Sequence, residues 1–392
     1  METRRVVVTG MSVIAANGND KNEFFENSLN GVGGIRKTNL FPSDQLRTDY
    51  FGQVQKEYVY EIQSAQQDTR LENIFDDLCT DLLLDSGITV DDIRGFGYKA
   101  GFSFATSVGT NDYTTAHVKG ILVNALSKSN LHKLPVKLGI QGPIFTNTSA
   151  CSAGTTAIGT GFSLIKAGNA DMVVAGGIDP LTEFSSYGFH ALQSLSKEPC
   201  KPFDKNRSGI SIGEGGALFL LEELQAAKSR NAKIYGEIIG YGLGNDAYHP
   251  TSPDPTGKGA YRVMSQAIEQ SGLASEDIDY INAHGTGTVL NDDMEVKAMN
   301  DLGGNYHVSS TKSLIGHCLA AAGAIEMAAT VLCVSEGAVF PTINSVDVEF
   351  DYPKITFVKH KGLDQPVKYA LSNSFAFGGN AASILIGAYK DE

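Results

Sequence analysis

Cysteine is scarce in this 392-residue chain: there are five, Cys79, Cys151, Cys200, Cys318 and Cys333, and no two form a C-x-x-C pair. Scattered thiols cannot build a disulfide framework, and without such a pair no metal site is expected. The reading is a reduced, cytoplasmic protein. Long apolar runs are also missing from the expectation. No stretch is read as approaching membrane-spanning length, and the apolar run over residues 5–9 is too short for the core of a signal peptide. Positive charge is in deficit: 31 Lys and Arg against 44 Asp and Glu give a net charge of −13. That excludes sequence-independent nucleic-acid binding, which needs a basic face. Neither a nucleic acid nor a membrane is expected as a partner.

What is present is apolar bulk and glycine. A hydrophobic fraction of 42% supports a large core, and the length suits two or three domains. Forty-three glycines imply tight turns and close backbone approaches. Residues 5–9 read as a buried strand ended by Gly10. Leu71, Ile74, Phe75, Leu78 and Leu82 fall on one helical face, with Gly87 at its end. Further strands are expected over residues 171–177, 233–241 and 278–283, a helix over 222–230, and a closing hairpin from 369–372 and 382–388. Alternating helices and apolar strands predict an α/β protein with covered sheets.

Two landmarks recur. Ser86-Gly87-Ile88 through Asp91-Asp92-Ile93 is matched by Ser271-Gly272-Leu273 through Glu276-Asp277-Ile278, at an offset of 185. The small-and-apolar helix between Gly154 and Gly168 is matched between Gly323 and Gly337, at an offset of 169. Two ordered matches predict a duplicated half, divided here as residues 1–232 and 233–392. The drop in offset assigns extra chain to the first half, in the polar excursion around residues 111–133.

Four turns are the candidates for chemistry. In Asn147-Thr148-Ser149-Ala150-Cys151-Ser152-Ala153-Gly154 a small-residue turn delivers one Cys to the start of a helix expected over 154–167. Unpaired N–H groups and the helix dipole favour a thiolate there, which predicts a lowered pKa and a nucleophile. An inert core thiol has the same composition. Downstream, Asn282-Ala283-His284-Gly285-Thr286-Gly287-Thr288 and Ser309-Ser310-Thr311-Lys312-Ser313-Leu314-Ile315-Gly316-His317 each set a His among small residues, as functional loops do. Asn373-Ser374-Phe375-Ala376-Phe377-Gly378-Gly379-Asn380 combines large rings with a free backbone. It reads either as a hairpin turn with two core rings or as a backbone donor with a movable ring over a pocket.

With these residues in hand, the chain resembles the β-ketoacyl-acyl-carrier-protein synthases, nearest the FabF-like (KAS II) group of the thiolase superfamily. The Cys, His-Gly-Thr-Gly-Thr and Lys-Ser-x-x-Gly-His order carries the resemblance. Pro202-Phe203-Asp204, Ser211-Ile212-Gly213-Glu214-Gly215 and Ala247-Tyr248-His249 extend it nearly end to end. A thiolase would need a second catalytic Cys near its C-terminus, and none follows Cys333.

The resemblance implies a thiolase-like pair of α/β halves in a layered α-β-α-β-α core. It implies that Cys151 takes an acyl chain from acyl carrier protein, with the backbone N–H groups of Cys151 and Phe377 holding the oxyanion. His284 and His317 would stabilise the enolate that forms as malonyl-carrier loses CO₂. Lys312 would pair with Glu326 and orient the His317 loop. Thr286, Thr288 and Thr251 would line the tunnel for the phosphopantetheine arm, and Phe377, with Phe189 beside it, would gate the acyl pocket. No cofactor or metal is implied beyond the carrier's own phosphopantetheine. An acidic carrier requires a local basic patch on a −13 protein, with Lys201, Lys205 and Arg207 as candidates.

The sequence departs from the family's Phe-Gly-Phe-Gly-Gly-Thr-Asn at Phe375-Ala376-Phe377-Gly378-Gly379-Asn380-Ala381, which predicts a stiffer hinge. The excursion between Gly109 and Gly139 is short. Both departures resemble accessory synthases of polyene or aryl-polyene clusters, which imply a homodimer or a heterodimer with a chain-length-factor-like subunit. A non-catalytic partner subunit of that kind is the alternative to an active enzyme.

Overall fold

The computed structural model describes residues 4–60, 68–107 and 130–391. Its eleven-stranded sheet comprises β1 (Val6–Ala15), β2 (Ala100–Ala105), β3 (Ile144–Asn147), β4 (Met172–Asp179), β5 (Gly215–Glu223), β6 (Gly236–Asn245), β7 (Tyr280–Asn282), β8 (Tyr306–Ser309), β9 (Ile355–Phe357), β10 (Tyr369–Phe375) and β11 (Asn380–Gly387). The strand order is β9-β8-β7-β10-β11-β6-β1-β5-β4-β2-β3.

That order is one pattern used twice. Outward from the centre, the first half runs β1-β5-β4-β2-β3 and the second β6-β11-β10-β7-β8, with β9 added at the edge. In both, the inner two pairings are antiparallel and the outer two parallel. The halves join where Val6–Val8 run antiparallel to Gly236–Ile238.

Four helices give the layers: α1 (Arg70–Ser86), α2 (Ala153–Lys166), α3 (Lys258–Ser271) and α4 (Ala322–Glu336). α1 packs on β1 and β5, and α3 packs on β6 and β11. α2 and α4 lie against each other between the two half-sheets. Their contact needs glycine at both landmarks. A Cβ on Gly154 would sit 2.6 Å from Ala324 N, and one on Gly323 would sit 2.1 Å from Thr155 Oγ1. Gly87 and Gly272 close α1 and α3 in the left-handed conformation, as Gly337 closes α4. The duplication read from the sequence is therefore present in the backbone.

Several boundaries moved. β1 runs through Gly10 to Ala15 because a register shift between Val8 and Gly10 absorbs the glycine. A side chain at that position would meet Ser86 Cβ at 2.5 Å. The helix expected over 222–230 shortens to Leu224–Ser229, since Glu222 and Glu223 finish β5. The strand expected over 233–241 is Gly236–Asn245, and the closing hairpin is longer than expected on both arms. The excursion around residues 111–133 lies largely outside the described residues.

One expectation is corrected. The stretch Leu319–Glu336 is long and apolar enough to cross a membrane, though none was read in the sequence; here it is 89% buried inside the protein as the central helix. Its apolar character on every side follows from having a half-sheet on each face and α2 alongside.

Candidate active site

Cys151 lies in a single tight turn, Ala150–Ser152, that runs directly into α2. The residue before it, Ala150, holds φ at +50°, a conformation that costs a non-glycine residue on the order of 1 kcal/mol. The strain turns the chain sharply and delivers Cys151 to the wall of a cavity of about 330 Å³. His284, His317, Phe189, Phe375 and Phe377 line the same cavity, as do Thr251, Thr286 and Thr288. The Cys151 turn thus shares one cavity with turns that lie more than a hundred residues further along the chain.

The two imidazoles stand edge to face, with ring centroids 5.3 Å apart. Their hydrogen bonds fix which nitrogen carries the proton. The Lys312 ammonium donates to His284 Nδ1 at 3.2 Å. The Leu319 backbone N–H donates to His317 Nδ1 at 3.1 Å. An ammonium and an amide can only donate, so both Nδ1 atoms accept and both protons sit on Nε2. Burial, with the Lys312 charge nearby, holds both rings well below the ordinary histidine range. The site therefore holds two neutral imidazoles, each an N–H donor.

Lys312 is 1% exposed and forms an ion pair with Glu326, itself 1% exposed. It also donates to the His284 carbonyl at 2.6 Å. The sequence assigned this pair to the His317 loop. The structure assigns it to His284, while His317 is held by the Leu319 amide in its own turn. Burial pushes Glu326 up to about 7 even with the ammonium beside it.

The expected thiolate is the second correction. Burial pushes the Cys151 thiol up to about 12, and Lys312 draws it down only in part. A helix terminus contributes at most about 2 kcal/mol, whereas three pKa units correspond to about 4 kcal/mol. Desolvation wins, and the resting side chain is a thiol.

At the mouth, the Thr286 and Thr288 hydroxyls lie 2.9 Å apart. The Thr251 amide donates to His249 Nδ1 at 3.2 Å, and His249 joins the lining. The Phe377 ring stacks on Phe189 with centroids 6.0 Å apart. Phe377 is more than a third exposed, while Phe375 is buried edge-on to His284, so the two readings of this turn divide between its two rings. Ala376 is in ordinary extended conformation, so the alanine adds no strain, and Gly378 and Gly379 carry the positive φ. Gly378 N–H donates to the Pro250 carbonyl, which ties the aromatic turn to the mouth loop.

Three acidic residues were missed. Glu295 accepts the His284 and Gly285 N–H groups at 2.8 Å each. Asp292 accepts those of Thr286 and Gly287. Both sit on the helix Val289–Leu302 directly after the His turn. Carboxylates one and two turns into a helix that follows a glycine-rich loop were the available signal. The third, Asp179, ends β4 and gave no signal in the sequence.

Of the basic patch, Arg207 is corrected. Lys201 and Lys205 reach the surface, where they pair with Glu198 and Asp347. Arg207 is 1% exposed and bound to Asp292, Asp293 and Glu349, so its charge is internal.

Comparison with known proteins follows the geometry. The family model "Beta-ketoacyl synthase, N-terminal domain" matches residues 3–227, and "Beta-ketoacyl synthase, C-terminal domain" matches residues 235–346. The 3-oxoacyl-[acyl-carrier-protein] synthase 2 of Staphylococcus aureus (strain COL) is 32% identical, covering 99% of each chain. A putative mitochondrial 3-oxoacyl-[acyl-carrier-protein] synthase of Schizosaccharomyces pombe is 35% identical, covering 97% of this chain and 98% of that one. Among solved structures, the ishigamide ketosynthase/chain length factor superposes with a TM-score of 0.89 at 29% identity, covering 99% of this chain and all of that one. A type II polyketide ketosynthase bound to its acyl-carrier protein and a hexaketide gives a TM-score of 0.88 at 28% identity, with the same coverage.

Proposed function

The chain belongs to the β-ketoacyl synthase family, and from that premise we propose that it lengthens a carrier-bound acyl chain by two carbons through decarboxylative condensation with malonyl-acyl carrier protein. It is a condensing enzyme, and its steps follow from the groups in the cavity. The Cys151 sulfur attacks the thioester carbonyl of acyl-carrier. The pantetheine sulfur leaves and takes up the thiol proton, so no charged group accumulates in a buried site. Backbone N–H groups of Cys151 and Phe377 are proposed to hold the tetrahedral oxyanion. Malonyl-carrier then enters past Thr251, Thr286 and Thr288. Its C–C bond breaks, CO₂ leaves, and the electron pair moves onto the thioester oxygen. Two imidazole N–H groups receive that charge. The enolate carbon attacks the acyl-Cys151 carbonyl, Cys151 sulfur leaves and takes up one proton from solvent, and the β-ketoacyl chain departs on its carrier.

The observation that carries this reading is the tautomer of the two rings. Both imidazoles are neutral with the proton on Nε2, as enolate stabilisation requires. These donors supply the electrophilic assistance that a metal would otherwise give, so the proposal includes no cofactor beyond the phosphopantetheine of the carrier.

Carrier protein is the proposed partner, as in the ketosynthase complex described above. A ketosynthase-fold subunit, either a second copy or a chain-length-factor-like chain, is proposed as the other. Among the described residues β3 is the outermost strand at its end of the sheet, with Ile144 and Phe145 about half exposed, and such an apolar edge favours pairing with another strand. A cytoplasmic location belongs to the same reading, and five free thiols suit a reducing compartment.

Incubation with malonyl-carrier and a panel of acyl-carriers, read by intact mass and CO₂ release, tests the function. Acylation at Cys151 that disappears in Cys151→Ala, with β-ketoacyl product, is the expected result. CO₂ release or acylation absent from the purified chain would favour the non-catalytic subunit instead. Native mass spectrometry of the same sample reads the association.

A further inference from the structure

Asp179 is a fully buried carboxylate with no part in the steps above. It ends β4 in the first half of the chain, yet one of its bonds crosses to the second. Its Oδ2 accepts the Ala320 backbone N–H at 2.7 Å and the Ser107 hydroxyl at 2.6 Å. Its Oδ1 accepts the Thr106 hydroxyl at 2.7 Å and the Ser107 N–H at 2.8 Å.

Ala320 follows the residue whose amide fixes the His317 tautomer. Leu319 holds φ at +49° without being glycine, and only in that strained turn does its N–H reach back to His317 Nδ1. A strained residue persists where its surroundings over-determine it. Before the turn, the His317 backbone is fixed in both directions, its N–H to the Ser211 carbonyl at 2.7 Å and its carbonyl to the Gly213 N–H at 3.0 Å. After the turn, Ala320 N–H is fixed to Asp179. The carboxylate is itself immobilised by Thr106 and Ser107.

We infer that Asp179 is a positioning residue for the condensation, holding the 317–320 turn so that His317 keeps its proton on Nε2 and aims it into the cavity. The inference rests on the proposed reaction. Its chemistry is local: a neutral imidazole has two tautomers, and the one with Nδ1 accepting is favoured only while a donor faces Nδ1. Releasing Ala320 lets Leu319 relax toward ordinary φ, turns its N–H away, and removes the bias.

The same carboxylate gives the test a signature that a structural role would lack. The Asp179 charge raises the Cys151 thiol, so neutralising it makes the sulfur more reactive, not less. Asp179→Ala removes the carboxylate. Asp179→Asn keeps its shape and packing should Asp179→Ala fail to fold, and it still breaks the site, because one amide oxygen cannot serve the Ser107 and Ala320 N–H groups together. Each variant is assayed twice as the full chain: for CO₂ release from malonyl-carrier, and for alkylation of Cys151 by iodoacetamide.

The expected result is a fall in kcat for CO₂ release of about tenfold or more, from a misaimed donor, with KM for malonyl-carrier little changed. Alkylation should proceed at the wild-type rate or faster. Nitrogen NMR of histidine-labelled protein should show the unprotonated Nδ1 signal, assigned by its loss in His317→Ala, weakening in Asp179→Asn. Equal falls in CO₂ release and alkylation would overturn the inference in favour of a general loss of fold. So would wild-type CO₂ release in Asp179→Asn while His317→Ala loses it. Wild-type protein that releases no CO₂ at all would instead overturn the reaction on which the inference rests.

Discussion

The Cys151 thiol offers the sharpest quantitative test, because burial and charge oppose each other there. Burial takes it from an ordinary 9.0 to about 12, against the pull of Lys312. At pH 8 about one molecule in ten thousand then carries a thiolate, against about one in ten for a free thiol, a difference of about 4 kcal/mol. The rate of Cys151 alkylation in wild-type protein should rise about tenfold per pH unit from pH 7 to pH 10 with no plateau. Phe377→Ala removes the ring that stacks on Phe189 across the cavity and admits water. If hydration relieves half of the upward shift, the midpoint falls by about 1.5 units and alkylation at pH 8 rises about thirtyfold. The assay is intact-mass quantification of the alkylated chain over a pH series. Reading the midpoint as well as the rate separates hydration from simple access, since access alone raises the rate at every pH equally. A wild-type plateau below about pH 9 would refute the reasoning: helix terminus and ammonium would then outweigh desolvation.

Three further outcomes follow from buried charge. Lys312→Met leaves the Glu326 carboxylate buried without its ammonium, which costs about 3–5 kcal/mol in urea unfolding; adding Glu326→Leu should restore most of the stability and none of the CO₂ release, because His284 Nδ1 still lacks its donor. Arg207→Met should lose a similar amount, by breaking the contacts to Asp292, Asp293 and Glu349, while the salt dependence of kcat/KM for carrier substrates stays as in wild type; a flattened salt dependence would return Arg207 to the docking surface. Glu295 is raised by burial from 4.5 to about 7, so the folded chain keeps its proton longer than the unfolded chain, and wild-type stability falls between those values as pH rises. Glu295→Gln lacks this loss and should gain about 3 kcal/mol on wild type between pH 5 and pH 8 in urea titrations; an unchanged difference would refute the assignment.

How much of this was legible in the sequence depended on the range of the interaction involved. Gly87, Gly168, Gly272 and Gly337 announced helix ends because a left-handed cap is a local demand on one residue. The repeat was legible for the same reason, since the same local demands recur in order. The Cys and His turns stood out because small residues leave a side chain no local partner. What could not be read was the balance of burial against charge at Cys151, which depends on the whole surrounding cavity. The direction in which Lys312 points was hidden too, because both His turns lie within reach of one flexible side chain. Arg207 stood in a loop with two lysines and shared their apparent role; only the fold shows that its three acids come from Asp292, Asp293 and Glu349, far along the chain.

The duplication explains why one strained turn serves two ends. Ala150 and Leu319 stand at the same offset as Gly154 and Gly323, and both hold φ near +50°. Each opens a short turn that leads into a central helix. In the first half the residue after the strain is Cys151, and the turn delivers a sulfur to the cavity. In the second half that residue is Ala320, which has nothing to deliver. The second turn has nonetheless kept a strain costing on the order of 1 kcal/mol. Its return lies one residue earlier, where the amide of Leu319 faces His317 Nδ1. The same backbone device therefore places the Cys151 sulfur in one half and fixes the His317 ring in the other. The bonds that brace the two turns cross between halves in opposite directions: the helix behind the first meets Ser374 of β10 through Thr155 at 2.7 Å, and the second meets Asp179 of β4. Each half therefore supplies a brace for the other's turn, through Ser374 in one direction and Asp179 in the other.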